Sequence, residues 1–157
     1  MDLTQGVPIS IQLKTTVKQE DTQDFLFDLT GQIIKIGDTL YIRYKEKQDG
    51  VEIPVTIKVE PDGTIQLIRS GEMRMRLRFR YQESMETTYR TPYGLFHITT
   101  KTHNLRFSLK DRPVSGRIVI DYDLLSQQQL MGNYHLELDF TAWFVSKHCF
   151  LTPIFVW

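Results

Sequence analysis

Hydrophobic and polar residues alternate along most of this chain. The clearest stretch is EMRMRLRFRY at residues 72–81, in which arginines occupy the even positions and apolar side chains the odd ones. A period of two is the period of a β-strand with one buried face. The stretch therefore predicts a strand whose apolar row points into a core and whose arginine row points away from it.

The same alternation recurs through the rest of the chain, in PISIQLKTTVK, DFLFDL, TLYIRYK, VEIPVTIKV, NLRFSLK, RIVIDYDL and YHLELDF. One-sided alternation is typical of antiparallel strands with one face toward solvent. The only stretch that tolerates a helix is LLSQQQLMGN at 124–133, and it is too short and too polar to anchor a core. We therefore expect an all-β protein.

The dipeptide Asp49-Gly50 is a strong signal for a two-residue hairpin turn. A turn there pairs Ile42 with Ile57 and keeps apolar residues opposite one another. It also places Pro54 at a non-hydrogen-bonded pair with Lys45, so that the proline removes no donor from that ladder.

Two further turns predict the next pairings. A three-residue loop at 61–63 places Val59 opposite Ile65. A loop of the same type at 69–71 places Ile65 opposite Met75 and Leu67 opposite Met73. A two-residue turn at Ser70-Gly71 would mix the two faces, and for that reason we reject it.

A fourth turn lies at Thr91-Pro92-Tyr93-Gly94, where proline and glycine suit the turn backbone. About eight to ten consecutive strands joined by short turns favour a closed antiparallel up-and-down (meander) β-barrel, which removes edge strands. A two-sheet sandwich is the alternative.

Length, charge and cysteine content limit the classes of function that the chain can have. The 157 residues suit one domain, and the formal net charge of zero argues against a generic nucleic-acid binder, although a basic face balanced by an acidic one remains open. The single cysteine, Cys149, excludes an intrachain disulfide. With neither a signal peptide nor an apolar run long enough to span a membrane, the sequence predicts a cytoplasmic protein.

The motifs RSGEMRMRLRF, TTYRTPYGLFHI, GRIVIDYDL and YHLELDF together resemble the YwiB-like β-barrel family. The resemblance implies a lipocalin-like (calycin-type) barrel, as in small bacterial cytoplasmic proteins, and supplies no catalytic residues. The family pattern ends near the last alternating strand, so we divide the chain into a barrel domain, residues 1–145, and an apolar tail, residues 146–157. Whether that tail is an extra strand or a non-native extension stays open.

The polar face of the predicted sheet carries a candidate anion-binding surface. In the predicted register Arg74 lies beside Gln66, and Arg76 beside Thr64. Arginine suits phosphate and carboxylate groups because its planar fork donates two parallel hydrogen bonds. The candidate anion-binding residues are Arg43, Lys58, Arg74, Arg76 and Arg78, with Tyr41 able to stack a base.

This basic surface has two simpler explanations. It could be a solvated face whose arginine stems cover the sheet. It could also pair with acidic residues of the last strands, namely Asp121, Asp123, Glu137 and Asp139, if the barrel closes so that the strands approach one another.

The barrel interior is the second candidate site. The hairpin at 87–99 mixes polar and apolar residues on both faces, so that some polar side chains point inward or lie at a rim. An apolar cavity with a few polar anchors is typical of a ligand pocket. The candidate ligand-binding residues are Tyr89, Thr91, Tyr93, His97 and Tyr122. The alternative is a barrel filled by its own side chains.

Catalytic signals are sparse. The histidines and Cys149 show no zinc-ligand spacing, and neither nucleotide-binding glycine motifs nor hydrolase motifs occur. We expect no metal and no cofactor. The preferred function is a non-enzymatic barrel that binds a small amphipathic ligand; the alternative is a module that binds an anionic partner, RNA or an acidic protein, and an enzyme comes third.

Overall fold

The computed structural model describes residues 2–71 and 74–143, which form a short 3₁₀-helix and ten β-strands. The helix is Leu3–Gln5. The strands are β1 (Val7–Lys18), β2 (Thr22–Ile36), β3 (Thr39–Gln48), β4 (Val51–Val59), β5 (Ile65–Ser70), β6 (Arg74–Phe79), β7 (Ser84–Thr91), β8 (Gly94–Asp111), β9 (Val114–Ser126) and β10 (Gln129–Ala142).

All the ladders are antiparallel, and the strand order is β6-β5-β4-β3-β2-β1-β10-β9-β8-β7. Every pair except β1–β10 joins strands that follow one another in sequence, which is the meander predicted from the short turns. The pairing of β1 with β10 curls this sheet into a nearly closed barrel. The predicted all-β meander barrel is confirmed. Its two end strands, β6 and β7, meet at a seam.

The first two predicted turns are confirmed. Ile42 lies opposite Ile57, and Val59 lies opposite Ile65. Pro54 lies opposite Lys45, and the ladder between β4 and β5 begins only beyond it, at Val55. The missing proline donor is therefore not needed by either neighbouring strand.

The predicted register between β5 and β6 is wrong. Ile65 lies opposite Phe79 rather than Met75, and Gln66 lies opposite Arg78 rather than Arg74. The strand β5 continues to Ser70, which lies opposite Arg74, so the pairing is shifted by four positions from the predicted one. A shift by an even number leaves every side chain on its predicted face, so the arginines still point outward. The predicted pairing of Leu67 involves Met73, which lies outside the described residues; Leu67 lies opposite Leu77.

The hairpin of β7 and β8 closes with a two-residue turn at 92–93, because Thr91 lies opposite Gly94. Odd positions of β7 therefore share a face with even positions of β8. This explains the mixed pattern of the sequence: Tyr89 lies opposite Phe96, and both are partly buried. A bulge at His103 then reverses the alternation for the rest of β8.

The core is mainly aliphatic, with a few aromatic rings, and is continuous around the barrel. Its largest fully buried side chains are Phe79, Phe140, Ile9, Ile11, Ile33, Ile42, Ile57, Ile65, Ile118, Ile120, Leu138 and Val55. The stretch 124–133 forms a hairpin with Gln127 and Gln128 at positive φ. Among the described residues no helix is long and apolar enough to cross a membrane. The predicted tail, residues 146–157, lies outside the described part of the chain.

Candidate functional site

The seam between β6 and β7 is joined by side chains rather than by a backbone ladder. The Arg78 guanidinium donates to the carbonyl oxygen of Glu86 at 2.7 Å. The Thr100 hydroxyl, which is buried, donates to the carbonyl oxygen of Arg78 and lies 3.4 Å from that of Met85. The side chains of Arg78 and Thr100 thus satisfy the carbonyl groups of Glu86 and Arg78, which in a continuous sheet would accept from backbone donors.

Four arginines line a groove of about 570 Å³ along this seam. Arg74, Arg76 and Arg78 come from β6, and Arg90 comes from β7; the rest of the lining is Glu86, Thr87, Thr88 and Tyr89. The sequence patterns placed the first three on one face. Arg90 was missed as a member of the site, because its position depends on the two ends of the sheet meeting.

The described lining of the groove has four guanidinium groups and one carboxylate, that of Glu86. Within the described residues, Arg74, Arg76 and Arg90 have no carboxylate within ion-pair distance, whereas Arg80, just beyond the groove, lies 3.3 Å from both Asp62 and Glu83. The Nε of Arg78 is buried and has no hydrogen-bond partner among the residues that the structure describes. A buried donor without a partner costs free energy, so this site favours a ligand that brings acceptors.

Arg43 and Lys58 belong to a separate part of the outer face. Both cations lie over the ring of Tyr41, at 5.3 Å and 5.7 Å from its centroid. Lys58 lies opposite Gln66 on β5, and Gln66 lies opposite Arg78 of the groove on β6. The five predicted anion-binding residues therefore divide into three in the groove and two beside Tyr41.

The acidic residues of the late strands have partners of their own, as do the cations beside them. His135 bonds Asp121 on one side, and its Nε2 lies 2.9 Å from Glu137 on the other. Arg117 lies 3.3 Å from Glu137 and 3.5 Å from Asp139. The hydrogen bond to Glu137, together with that to Asp121, raises the pKa of His135, and the hydrogen bond from His135 lowers the pKa of Glu137.

The last of the predicted acidic residues, Asp123, lies 2.8 Å from His103. Pairing between the acidic strip and the arginine row, one of the two simpler explanations, is therefore not what the structure shows. Among the described residues no cluster of three or more histidine, cysteine or carboxylate side chains could hold a metal ion.

The predicted interior residues do not form one cluster. Tyr89, Thr91 and Tyr122 lie on the inward face, with the Tyr122 ring against that of Phe79 at 4.6 Å between centroids. Tyr93 lies at the tip of the turn, 93% exposed. The prediction placed His97 in the interior or at a rim, but its side chain is on the outer face.

His97 faces outward because the two-residue turn at 92–93 exchanges odd and even positions. Its Nδ1 lies 3.5 Å from the Glu86 carboxylate.

A polar pair inside the barrel was not predicted. Arg69 lies 2.7 Å from Glu46, and both side chains are largely buried, near Tyr44 and Tyr122. Burial raises the pKa of both tyrosines well above the ordinary value. Strand parity could have found the pair, because Glu46 continues the inward row of Tyr44 and Arg69 that of Leu67.

A cleft also lies where β2 separates from β3. The ladder between these strands ends at the pair Gly31–Tyr44, and the cleft beyond it encloses about 830 Å³. Its walls include Phe27, Leu29, Tyr44, Pro54 and Val55, with Arg43, Lys45, Lys47 and Glu52 among its polar residues. It opens through the barrel wall and is not an enclosed chamber at the barrel axis.

Comparison with known proteins gives a consistent picture. Residues 10–138 match the model of the family described as a domain of unknown function, DUF1934. The curated "Uncharacterized beta-barrel protein YwiB" of Bacillus subtilis (strain 168) is 27% identical over 123 residues, 78% of this chain and 84% of the relative. The crystal structure of ywiB protein from Bacillus subtilis superposes with a TM-score of 0.74 at 23% identity, over 88% of this chain and 93% of that chain, which supports the same fold.

Proposed function

The chain belongs to the DUF1934 family of YwiB-like β-barrel proteins, as its motifs predicted, and on that premise we propose that it is a non-enzymatic binding protein whose seam groove takes an anionic partner, an RNA or an acidic protein. A cytoplasmic location, as predicted from the sequence, is part of this proposal, as is the absence of catalysis.

One observation carries the proposal. Several guanidinium groups converge on one groove, and Arg74, Arg76 and Arg90 lack carboxylate partners among the described residues. On β9 and β10, the carboxylates of Asp121, Asp123, Glu137 and Asp139 are engaged with histidine or Arg117. Guanidinium forks without a carboxylate partner in the described part of the chain are well suited to carboxylates and phosphates from outside.

The test is a titration with a fluorescent polyanion at low salt, comparing two triple variants of equal charge. In one, Arg74, Arg76 and Arg90 become glutamine; in the control, Arg43, Lys45 and Lys58 become glutamine. Three exposed contacts at about 0.5 kcal/mol each predict about a tenfold loss of affinity in the groove variant, against little change in the control. Equal losses in both variants would refute a specific groove.

A second candidate rests on the cleft between β2 and β3. A small amphipathic ligand would place its apolar part against Phe27, Leu29 and Val55 and its polar end near Lys45 and Lys47. This keeps the amphipathic ligand predicted from the sequence but moves it from the barrel axis to the wall, since aliphatic side chains fill the interior. Native mass spectrometry of the purified protein tests it: a retained small molecule, lost when Leu29 becomes arginine, would support this candidate.

A further inference from the structure

We propose that the anionic partner of the groove is an extended polypeptide segment with acidic residues at alternate positions, which adds as a strand to the free edge of β6. This inference rests on the proposed function, because it presumes that the groove binds anions. It specifies the chemistry of the partner and the backbone groups that recognise it.

The backbone of β6 presents hydrogen-bonding groups to the seam at every second residue. The carbonyl of Arg78 points into the seam, because it accepts from Thr100. In a strand the N–H and C=O of one residue point to the same side, and the side alternates from residue to residue. The backbone groups of Arg74 and Arg76 therefore also face the seam, where no ladder partner is described.

The neighbouring ladder supports this orientation independently. The Glu60 N–H donates to the Thr64 carbonyl at 2.9 Å, which fixes the hydrogen-bonded positions between β4 and β5. Gln66 is two residues beyond Thr64, so its N–H and C=O also point toward β4. Its partner on β6, Arg78, therefore directs its N–H and C=O away from β5, toward the seam.

The opposite wall has the same arrangement. The Glu86 carbonyl points into the seam, since it accepts from Arg78. Two and four residues further along β7, the backbone groups of Thr88 and Arg90 point the same way. The seam is therefore bordered by two strand edges, and an exposed edge is a template for an added strand.

Charge and parity define the sequence of that strand. Arg74 and Arg76 point outward on β6, and side chains on the same face of a neighbouring strand lie beside them. Acidic residues at alternate positions would meet these guanidinium groups. The intervening residues would point inward toward Met75 and Tyr89, which are partly buried and apolar in character, so apolar residues suit those positions.

These features favour a polypeptide over RNA. Single-stranded RNA is usually held by stacking its bases on aromatic side chains. The aromatic residue in the lining of the groove, Tyr89, is stacked on Phe96 with centroids 5.6 Å apart, and Tyr41 is covered by two cations.

The experiment uses the full chain and three labelled probes of similar charge. These are a peptide of about ten residues alternating glutamate and valine, a peptide of the same composition with the two residue types in separate blocks, and an oligouridylate. We expect the alternating peptide to bind at least about tenfold more tightly than either other probe, weakening as salt rises. Amide exchange, read by NMR, should slow at Arg74 and Arg76 on binding and remain unchanged at Arg43.

A charge-reversal variant provides a second test, which does not depend on a loss of binding in the glutamine variant. With Arg74→Glu and Arg76→Glu together, the preference should move to a peptide alternating lysine and valine. Circular dichroism and thermal unfolding confirm that the variant retains its fold.

Contrary outcomes separate the two proposals. If the blocked peptide or the oligouridylate binds as tightly as the alternating peptide, and the groove variant abolishes that binding, the anion-binding function stands and strand addition is refuted. If no probe binds in an arginine-dependent manner at low salt, both are refuted. The Arg74 and Arg76 amides could instead be protected from exchange in the free protein, with protection that increases with protein concentration. A second copy of the chain would then occupy the edge, and the acidic-segment proposal would be overturned.

Discussion

Nη2 of Arg69 lies 2.7 Å from Oε2 of Glu46, on the inner side of the barrel. The two residues come from β5 and β3, and their side chains are 27% and 15% exposed. Tyr44, two residues before Glu46, is fully packed in the core, so the pair lies at the border between the apolar interior and one open end.

Replacing Arg69 by methionine should destabilise the protein by about 1–3 kcal/mol, because it leaves a largely buried carboxylate without its partner. Chemical denaturation measures the change in the free energy of unfolding. Lys45→Met is the matched control: it removes a cation that lies 3.8 Å from Glu52, with side chains 67% and 54% exposed. A solvated pair of that kind contributes less than about 1 kcal/mol, so similar losses in both variants would contradict the role assigned to Arg69.

The same pair shows why one register could not be predicted. The predicted register between β5 and β6 and the observed one, shifted by four positions, both bury the odd positions of β6, so the hydrophobic pattern does not distinguish them. In the observed register β5 continues through Arg69, whose side chain reaches Glu46, a contact distant in sequence that the local pattern does not show. The turn at Asp49-Gly50, by contrast, was predictable because its two residues take positive φ locally.

The candidate site was predictable only in part. Alternation was enough to place Arg74 and Arg76 on the outer face of β6. Arg90 joins them because β1 pairs with β10 and brings the two ends of the sheet together. The position of His97 depends on a turn of two residues rather than three, and sequence favours both lengths for a Pro-Tyr-Gly segment.

The cluster around His135 predicts a pH dependence of stability. Hydrogen bonds to Glu137 and Asp121 raise its folded pKa above the ordinary value of 6.5. The stability that His135 contributes to the folded state is therefore complete below about pH 6.5, and it is lost as the pH rises through the raised pKa. The pKa of Glu137 is lowered from 4.5, chiefly by the hydrogen bond from His135. The stability that Glu137 contributes to the folded state is therefore complete above about pH 4.5, and it is lost as the pH falls through the lowered pKa.

Between about pH 4.5 and 6.5 both contributions are present. His135→Gln should thus cost up to about 1 kcal/mol at pH 6 and less at pH 9, a small value because the groups are partly solvated. Urea unfolding at the two pH values measures the difference. The control, His97→Gln, removes an exposed imidazole on the outer face. A variant of His135 that loses as much stability at pH 9 as at pH 6 would contradict the assignment.

Gly116 is required by close packing rather than by an unusual backbone angle. A Cβ there would clash with the Ser108 carbonyl oxygen and would lie 2.5 Å from Cζ of Phe140, a buried core ring. Gly116→Ala should therefore cost about 1–3 kcal/mol through overpacking. Gly71→Ala is the control, because its nearest neighbour would be 3.7 Å away, and its thermal midpoint should stay near that of the wild type. A wild-type midpoint for Gly116→Ala would show that Phe140 can move aside without cost.

Thr100 and Thr102 provide a matched pair for testing how the seam is held. Both are 1% exposed, and they lie two residues apart on the same face of β8. The Thr100 hydroxyl bonds the carbonyl of Arg78 across the seam, whereas the Thr102 hydroxyl has no hydrogen-bond partner among the described residues. Valine has nearly the same shape as threonine, so each change to valine removes a hydroxyl without creating a cavity.

Thr100→Val should cost about 1–2 kcal/mol, because it leaves the partly buried carbonyl of Arg78 without this donor. Thr102→Val should be neutral or stabilising, because it removes a buried hydroxyl that has no partner among the described residues. Denaturant unfolding gives both free energies. Hydrogen exchange adds a local measurement: in Thr100→Val the amides of β6 should exchange faster, while those of β1 and β10 remain as in the wild type. Equal effects of the two substitutions would mean that the Thr100 hydroxyl does not hold β6 at the seam.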